Sequence, residues 1–346
     1  MSSMLAAVLY RPGDVRVERR AVPDPGAGEV LVRIRAVGVC GSDVHYYAEG
    51  RIGRYVVERP LILGHECAGE VVRHGPGVSA PQIGTRVALE PGAPCRRCRY
   101  CQAGRYNLCP QVVFMGTPPV DGAFAEYVAW PADLAFPLPE NVSLAEGALI
   151  EPLAVGMHAM RRASLVPGAT LLIQGAGPIG QMTLLAARAA GAGRIFVTDL
   201  DGSRLAVAKN HGADAVLNPV EGELREALAD LTDGDGVDVV VEAAGSAPTI
   251  RQSLELVRPG GTIVWIGLPA NDPVEVSALQ AIDKEVTVFG VFRYANVYAD
   301  AIRLVAAGRI PLGGLVTHRL PLSRVGEALA LAGERKSGAM KVLVEL

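Results

Sequence analysis

Apolar and polar residues alternate over positions 4–36, and Pro12-Gly13 and Pro23-Asp24-Pro25-Gly26 break the run. Period-two alternation cut by Pro and Gly predicts short antiparallel strands joined by turns. Strand-like runs continue at residues 31–37, 67–73 and 86–90. Another follows a turn-rich piece (117–122) at residues 124–128. Residues 37–45 also read as apolar and strand-like. The first 150 residues are therefore expected to be mostly β, irregular and rich in Gly and Pro.

After Ser143 the texture changes. Residues 144–164 have helical spacing, with Pro152 tolerable near a helix start or as a kink. Short apolar strands are predicted at Thr170–Gln174, Arg194–Thr198, 237–241, 262–266 and 286–290, with helices at 179–190, 204–211, Leu224–Leu231 and 249–257. Continuous apolar strands alternating with helices indicate a parallel sheet covered on both faces. Residues 308–346 turn strand-like again and are expected to rejoin the first domain, which makes the parallel unit an insertion. The reading is thus 1–152 as a mostly-β domain, 153–290 as a doubly wound α/β domain, and 291–346 as a return to the first.

Composition changes this picture little. A length of 346 residues fits about two domains, and half of them are hydrophobic, enough for a large core. A net charge of −3 gives no reason to expect nucleic acid or an anionic membrane. Residues 1–10 lack a charged start and are too short for a signal-peptide core, and no apolar run of about 18 residues occurs. Six cysteines in such a chain read as metal ligands more readily than as disulfides, with the cytoplasm as expected compartment.

Chemistry first shows at Gly64-His65-Glu66, which lies between apolar runs on both sides. Burying an imidazole and a carboxylate costs several kcal/mol unless each finds a partner, and a divalent metal satisfies both. Cys40 lies upstream and Glu151 far downstream. One thiolate, one imidazole and one or two carboxylates favour zinc, and three protein ligands plus a water make the catalytic rather than the structural arrangement.

Gly175-Ala176-Gly177-Pro178-Ile179-Gly180 follows a predicted strand and opens a predicted helix. In that context the glycines read as a dinucleotide fingerprint. The first allows the tight turn, the second the approach of a pyrophosphate, and the third close packing of helix on strand. Unpaired N–H groups at the helix start then face the phosphates. Asp199 ends the next strand, where a carboxylate takes the ribose hydroxyls and repels a 2′-phosphate. NAD is favoured over NADP, although Arg204 is near enough in sequence to touch the adenosine end.

A second cluster, Cys95, Cys98, Cys101 and Cys109, has the spacing of a structural zinc site with four thiolates, within a lobe of about residues 91–112. Pro110 after Cys109 keeps iron–sulfur ligation as a rival. Arg96, Arg97, Arg99 and Arg105 read as a solvated lobe offsetting thiolate charge rather than as a nucleic-acid ribbon, because the chain as a whole is acidic.

With these three features in this order, the chain resembles the zinc-dependent medium-chain dehydrogenases, and within them the polyol branch of sorbitol and xylitol dehydrogenases. The matching pieces are residues 40–47 (CGSDVHYY), 50–53, 64–66, 90–92, 104–108, 151–153, 197–200 and 290–294 (GVFRY). The resemblance implies a GroES-like catalytic domain carrying an inserted Rossmann domain. It implies Cys40, His65 and Glu66 on a catalytic zinc, with Glu151 on the metal or hydrogen-bonded to its water; the two carboxylates are left unranked. Tyr46, Arg293 and Tyr294, together with Glu151, would contact the polyol. Besides Gly175, Gly177 and Gly180, the groups Ile179, Asp199, Arg204, Ile266-Gly267-Leu268 and Val291-Phe292-Arg293 would hold the NAD. Animal members can lack the four-cysteine lobe, so its presence points to the microbial type. The family tendency is a homotetramer or a dimer.

The implied reaction is NAD-dependent, zinc-assisted hydride transfer that oxidises a xylitol- or sorbitol-like polyol at C2 to the ketose. Ser42 and His45 sit where related enzymes relay a proton to solvent, a handover suited to His near neutral pH; a plain surface histidine is the other reading of His45. Glu66 and Glu151 offer a second proton route. Cys67 reads as a small buried residue, His158 and His318 as structural histidines, and Phe114 and Met115 as pocket or core. The alternatives are a secondary-alcohol dehydrogenase for 2,3-butanediol or L-threonine and, outside enzymes, a catalytically silent NAD- or zinc-binding protein. Every candidate ligand and fingerprint glycine is present, which speaks against silence.

Overall fold

The computed structural model describes residues 3–269, 273–334 and 338–346; Met1 and Ser2 of the leading stretch lie outside the described residues. The chain folds as two units, Met1–Glu151 with Tyr298–Leu346, and Pro152–Val297.

The first unit is built on antiparallel pairing. Its main sheet runs in the order Ala135–Pro137, Arg86–Leu89, Glu66–His74, Glu29–Gly38, Lys341–Glu345, Val316–Pro321, and Tyr127–Pro131 pairs separately with Glu29–Gly38. A smaller sheet holds Asp14–Ala21, Ser3–Arg11 and Leu61–Ile62. Between them lies a core that includes Val8, Ile34, Leu63, Leu89, Met115 and Phe124. Within the main sheet, Lys341–Glu345 is antiparallel to Glu29–Gly38 and parallel to Val316–Pro321. That strand closes the unit across nearly the whole length of the chain.

Three local expectations need correction. Residues 41–49 form a helix, Gly41–Glu49, rather than continuing a strand. The Asp43 carboxylate accepts from the Cys40 N–H at 3.0 Å, which satisfies a donor that a helix start otherwise leaves open, and Gly50 ends the helix at φ +72°. The strand expected at 124–128 falls at Tyr127–Pro131. Phe124 instead bonds Leu63 on one side and Ala7 on the other, with its ring in the core. Residues 308–346 are less strand-rich than expected, for they hold the helix Val325–Gly333. The Val325–Gly333 helix is apolar nearly all round, so period alone does not separate it from a strand.

The second unit is a six-stranded parallel sheet in the order Ala215–Leu217, Arg194–Thr198, Thr170–Gln174, Val237–Glu242, Val257–Trp265, Thr287–Gly290. The order reverses between Thr170–Gln174 and Val237–Glu242, which makes the carboxyl ends of those two strands the switch point where α/β sheets bind ligands. The helix Pro178–Ala189 begins there, with Pro178 at its first turn. A Cβ at Gly180 would sit 1.8 Å from the Gly175 carbonyl oxygen, so only glycine lets this helix close on this strand. Among the described residues, no helix is long and apolar enough to cross a membrane.

Candidate active site

Cys40, at the start of the Gly41–Glu49 helix, and His65 and Glu66, at the head of the Glu66–His74 strand, converge in the first unit. One potential ligand atom from each lies within 4.8 Å of the others. Among the described residues this trio and the four-cysteine lobe are the two such groups. His65 and Glu66 are buried and Cys40 half-buried. The arrangement is not self-sufficient, because a buried carboxylate beside a thiol and an imidazole needs charge or hydrogen bonds to compensate it.

Two residues absent from the sequence-derived site supply that compensation. Asp43 is fully buried. It accepts from the Cys40 and Gly64 N–H groups at 3.0 Å each, and its Oδ1 lies 3.7 Å from His65 Nδ1. It thereby joins both arms of the trio and orients the ring from behind, as partners of metal-bound histidines do. Burial pulls the His65 pKa down, but Asp43 and Cys40 more than reverse that and hold it well above its ordinary value. The second residue is Lys341, itself 3% exposed, whose Nζ lies 2.6 Å from both Glu66 carboxylate oxygens and donates to the Val39 carbonyl at 3.0 Å. Burial lowers its pKa, yet Glu66, Cys40 and Glu151 outweigh that, so the ammonium stays charged.

Glu151 is buried in the Leu144–Arg162 helix, and its charge is felt at Cys67 and Lys341, but it stands outside the trio. Cys67 packs its sulfur 3.8 Å from that of Met115, and burial pushes its thiol up to about 12; it is an inert core residue. The Phe114 ring lies 5.6 Å from that of His65. On the Gly41–Glu49 helix, Tyr46 is buried and hydrogen-bonded to Thr117, and burial pushes its phenol up to about 12. Ser42 is half-buried, and His45 is exposed with Nδ1 3.6 Å from Glu49. Neither His158 nor His318 belongs to the trio; His318 Nδ1 is 3.0 Å from its neighbour Thr317 Oγ1.

The four-cysteine lobe is half-buried. Cys98 and Cys101 sulfurs are 3.4 Å apart, and the Cys95 N–H donates to Cys109 Sγ at 3.4 Å. Backbone N–H groups of Arg97 and Cys98 pull the Cys95 thiol down to about 6, so a thiolate is available near neutral pH. An Arg96–Asp133 ion pair ties the lobe to the unit, as does Tyr106, whose hydroxyl donates to Glu90 at 2.7 Å. Trp130 Nε1 donates to the Glu90 carbonyl at 2.8 Å.

In the second unit the fingerprint has its expected setting. Asp199 ends its strand and accepts from the Ala176 N–H at 2.7 Å and the Asp201 N–H at 2.9 Å. These bonds lock the carboxylate beside the turn 175–180. The nearest neighbour of a Cβ at Gly177 would be Arg204 Nη1, at 3.7 Å, so this guanidinium lies over the same turn. Ile179 is half-buried in the first turn of the Pro178–Ala189 helix. Glu242, also absent from the sequence-derived site, is fully buried at the switch point. Its carbonyl accepts from Ile266 and Gly267, and its carboxylate accepts from Ala244, Gly245 and Thr249. It therefore fixes the Ile266-Gly267-Leu268 backbone. Val291 bonds back to the Trp265 carbonyl, Arg293 stacks on Phe292 at 4.6 Å in a left-handed conformation (φ +56°), and Tyr294 is buried.

Known proteins share this organisation. Residues 26–140 match the family described as alcohol dehydrogenase GroES-like domain, and residues 178–307 match that described as zinc-binding dehydrogenase. Sorbitol dehydrogenase from Bacillus subtilis (strain 168) is 45% identical over 342 residues, 99% of this chain and 97% of its own. An Escherichia coli oxidoreductase of unknown specificity superposes with a TM-score of 0.95 at 39% identity, covering 99% of both chains. An alcohol dehydrogenase from Escherichia coli CFT073, complexed with NADH, gives 0.93 at 29% identity over 100% of both.

Glu90 gives the site region a pH signature. Burial, only partly offset by the Tyr106 hydrogen bond, raises its pKa from an ordinary 4.5 to about 7. Between those values the folded state binds a proton that the unfolded state has released, so this group's contribution to stability falls as pH rises. The full span corresponds to roughly 3 kcal/mol at 1.36 kcal/mol per pH unit. Glu90→Gln keeps an acceptor for Tyr106 without that loss. Its stability relative to wild type, measured by urea unfolding, should therefore improve by roughly 2–3 kcal/mol between pH 5 and pH 8. Parallel pH profiles for the two proteins would refute this account.

Proposed function

We propose that this chain, which belongs to the zinc-binding dehydrogenases with a GroES-like domain, oxidises a linear polyol at C2 to the ketose with NAD as acceptor. The chain is an oxidoreductase. The observation that carries the reading is the buried Cys40–His65–Glu66 donor set, whose soft and hard ligand atoms suit zinc. The name of the Bacillus subtilis relative, at 45% identity over nearly the whole chain, supports the polyol. Zinc held by these residues would supply a Lewis acid that lowers the pKa of a hydroxyl. NAD would supply the hydride acceptor.

The protein's own groups do the rest. Asp43 presents the His65 ring to the metal. Ser42 and His45 are three apart on one helix and so share a face; they lead from a half-buried position to an exposed one. They can pass a proton outward, and the Glu49 carboxylate lies 3.6 Å from the His45 ring. Asp199, fixed by two backbone N–H groups, keeps lone pairs for ribose hydroxyls and favours NAD over NADP. Tyr46, Arg293 and Tyr294 would hold hydroxyls beyond the reacting carbon. A site that hydrogen-bonds such groups rejects substrates lacking them.

The second donor set, Cys95, Cys98, Cys101 and Cys109, is assigned to a structural zinc. Self-association of the chain is supported by the sheet's exposed edge strand, Thr287–Gly290, which carries Val288 close in sequence to the exposed Leu279 and Ile282. We assign the protein to the cytoplasm, in keeping with six cysteines none of which is in a disulfide.

NADH absorbance on adding xylitol, sorbitol, 2,3-butanediol, L-threonine or ethanol tests the substrate class. Polyols should be turned over best, and Arg293→Ala should damage polyol turnover far more than turnover of the diol; equal specificity constants for ethanol and the best polyol would sink the idea. Metal analysis should find two zinc ions per chain. Cys40→Ser should lose activity while staying folded, whereas Cys98→Ser should lose thermal stability, since a structural metal supplies folding energy. One zinc per chain, with Cys98→Ser as stable as wild type, would contradict the division. Light scattering should report a dimer or tetramer, and a monomer at micromolar concentration would remove the oligomer.

A further inference from the structure

We propose that Lys341 is a positioning residue of the metal site, reaching across the sheet to hold Glu66 and so limiting the charge that this carboxylate gives to the metal. The proposal rests on reading Cys40, His65 and Glu66 as ligands, and goes beyond it by assigning control of that set to a group that binds no metal.

The geometry is specific. Glu66 and Lys341 lie on strands that are not neighbours, because Glu29–Gly38 runs between them. Strands are spaced about 4.8 Å apart, so the two backbones stand roughly 10 Å from each other. The intervening strand would normally place a side chain in that gap. Here the residue paired with Glu66 is Gly38, which also pairs with Leu343 on the other side. A Cβ at Gly38 would fall 2.1 Å from Glu66 Oε2. The missing side chain is the opening through which carboxylate and ammonium meet, and Nζ also donates to the Val39 carbonyl next along the strand. Glu66 is 1% exposed and Lys341 3%, so water takes no comparable part.

Charge then sets the direction of the effect. A thiolate and a carboxylate neutralise a divalent cation. An ammonium 2.6 Å from both carboxylate oxygens draws on the same negative charge and repels the cation. A metal sharing Glu66 with Lys341 therefore stays more electron-poor than one that owns the carboxylate. In the metal-free protein the same ammonium compensates Glu66, and losing it leaves a bare buried carboxylate that only metal can satisfy. Both terms make removal of the ammonium tighten metal binding.

The test uses the full chain with cobalt(II) or zinc as the probe. Lys341→Met should bind metal at the Cys40 site at least tenfold more tightly in chelator competition. It should shift the visible bands of the cobalt form and lower kcat at least tenfold with little change in KM. Metal-free Lys341→Met should unfold well below metal-free wild type, and metal should restore most of the difference. Lys341→Arg should stay near wild type in every readout. If Lys341→Met does not fold, Lys341→Gln, which keeps a donor for Val39, carries the same expectations. A purely structural lysine predicts the reverse: weaker or unchanged metal binding, an unchanged cobalt spectrum, and equal stability losses with and without metal. That outcome overturns the proposal. Wild-type protein that takes up no metal dependent on Cys40 would instead overturn the ligand assignment beneath it.

Discussion

Negative charge buried in a β-sheet interior is the constraint around which the first unit is arranged. Asp43, Glu66, Glu90 and Glu151 are all nearly inaccessible to water, and Cys40 adds a thiol among them. Carboxylates brought this close into low dielectric would be protonated, or would unfold the unit, without specific compensation. For three of them the compensation is visible, and each has its own form. Two backbone N–H groups and the His65 ring satisfy Asp43, a lysine ammonium satisfies Glu66, and a tyrosine hydroxyl satisfies Glu90. The Tyr106 hydroxyl offsets the burial of Glu90 only in part, and its carboxyl is pushed up to about 7. A divalent cation at the proposed Cys40–His65–Glu66 set would complete this compensation rather than supply all of it.

Much of this was legible in the sequence. The strands Thr170–Gln174 and Arg194–Thr198 and the helix Leu224–Leu231 lie where period and turn residues placed them, because each is a short apolar run bounded by strong breakers. Cys40, His65 and Glu66 stand out because such groups are hard to explain in apolar surroundings by packing alone, and the four cysteines stand out by their spacing. Asp43 was not picked out, although it lies in the same motif. A carboxylate three residues after a cysteine is an ordinary helix-start residue until its second oxygen is seen to reach Gly64. Lys341 left no local trace at all. Its meaning depends on a partner 275 residues away and on the absence of a side chain at Gly38, and neither is encoded in periodicity.

The misplaced elements have related causes. The Gly41–Glu49 helix was hidden because a true strand ends at Gly38, only two residues before it, and Cys40 caps the helix directly. Phe124 lies in an extended segment that bonds two different partners without entering a ladder, so its alternating pattern signals burial correctly and strand membership wrongly. In both places tertiary partners, not local preference, decided the outcome. The second unit is more regular: the inner strands of its parallel sheet are buried on both faces, so there apolar runs and strands coincide.

The position of Lys341–Glu345 between Glu29–Gly38 and Val316–Pro321 also fixes when the first unit can be completed in time. Residues 275 apart must meet before Glu66 has its counter-charge. At ribosomal speeds of about 5–20 residues per second, Glu66 waits on the order of tens of seconds for Lys341 to be made. Throughout that interval only the Ala36–Gly38 end of the central strand lacks its partner, because Tyr127–Pro131 already pairs with residues 29–33. The inserted unit, contiguous in sequence, has no such delay and can fold first. A nascent chain thus carries a finished parallel-sheet unit while the first unit still lacks its last strand and Glu66 its counter-charge.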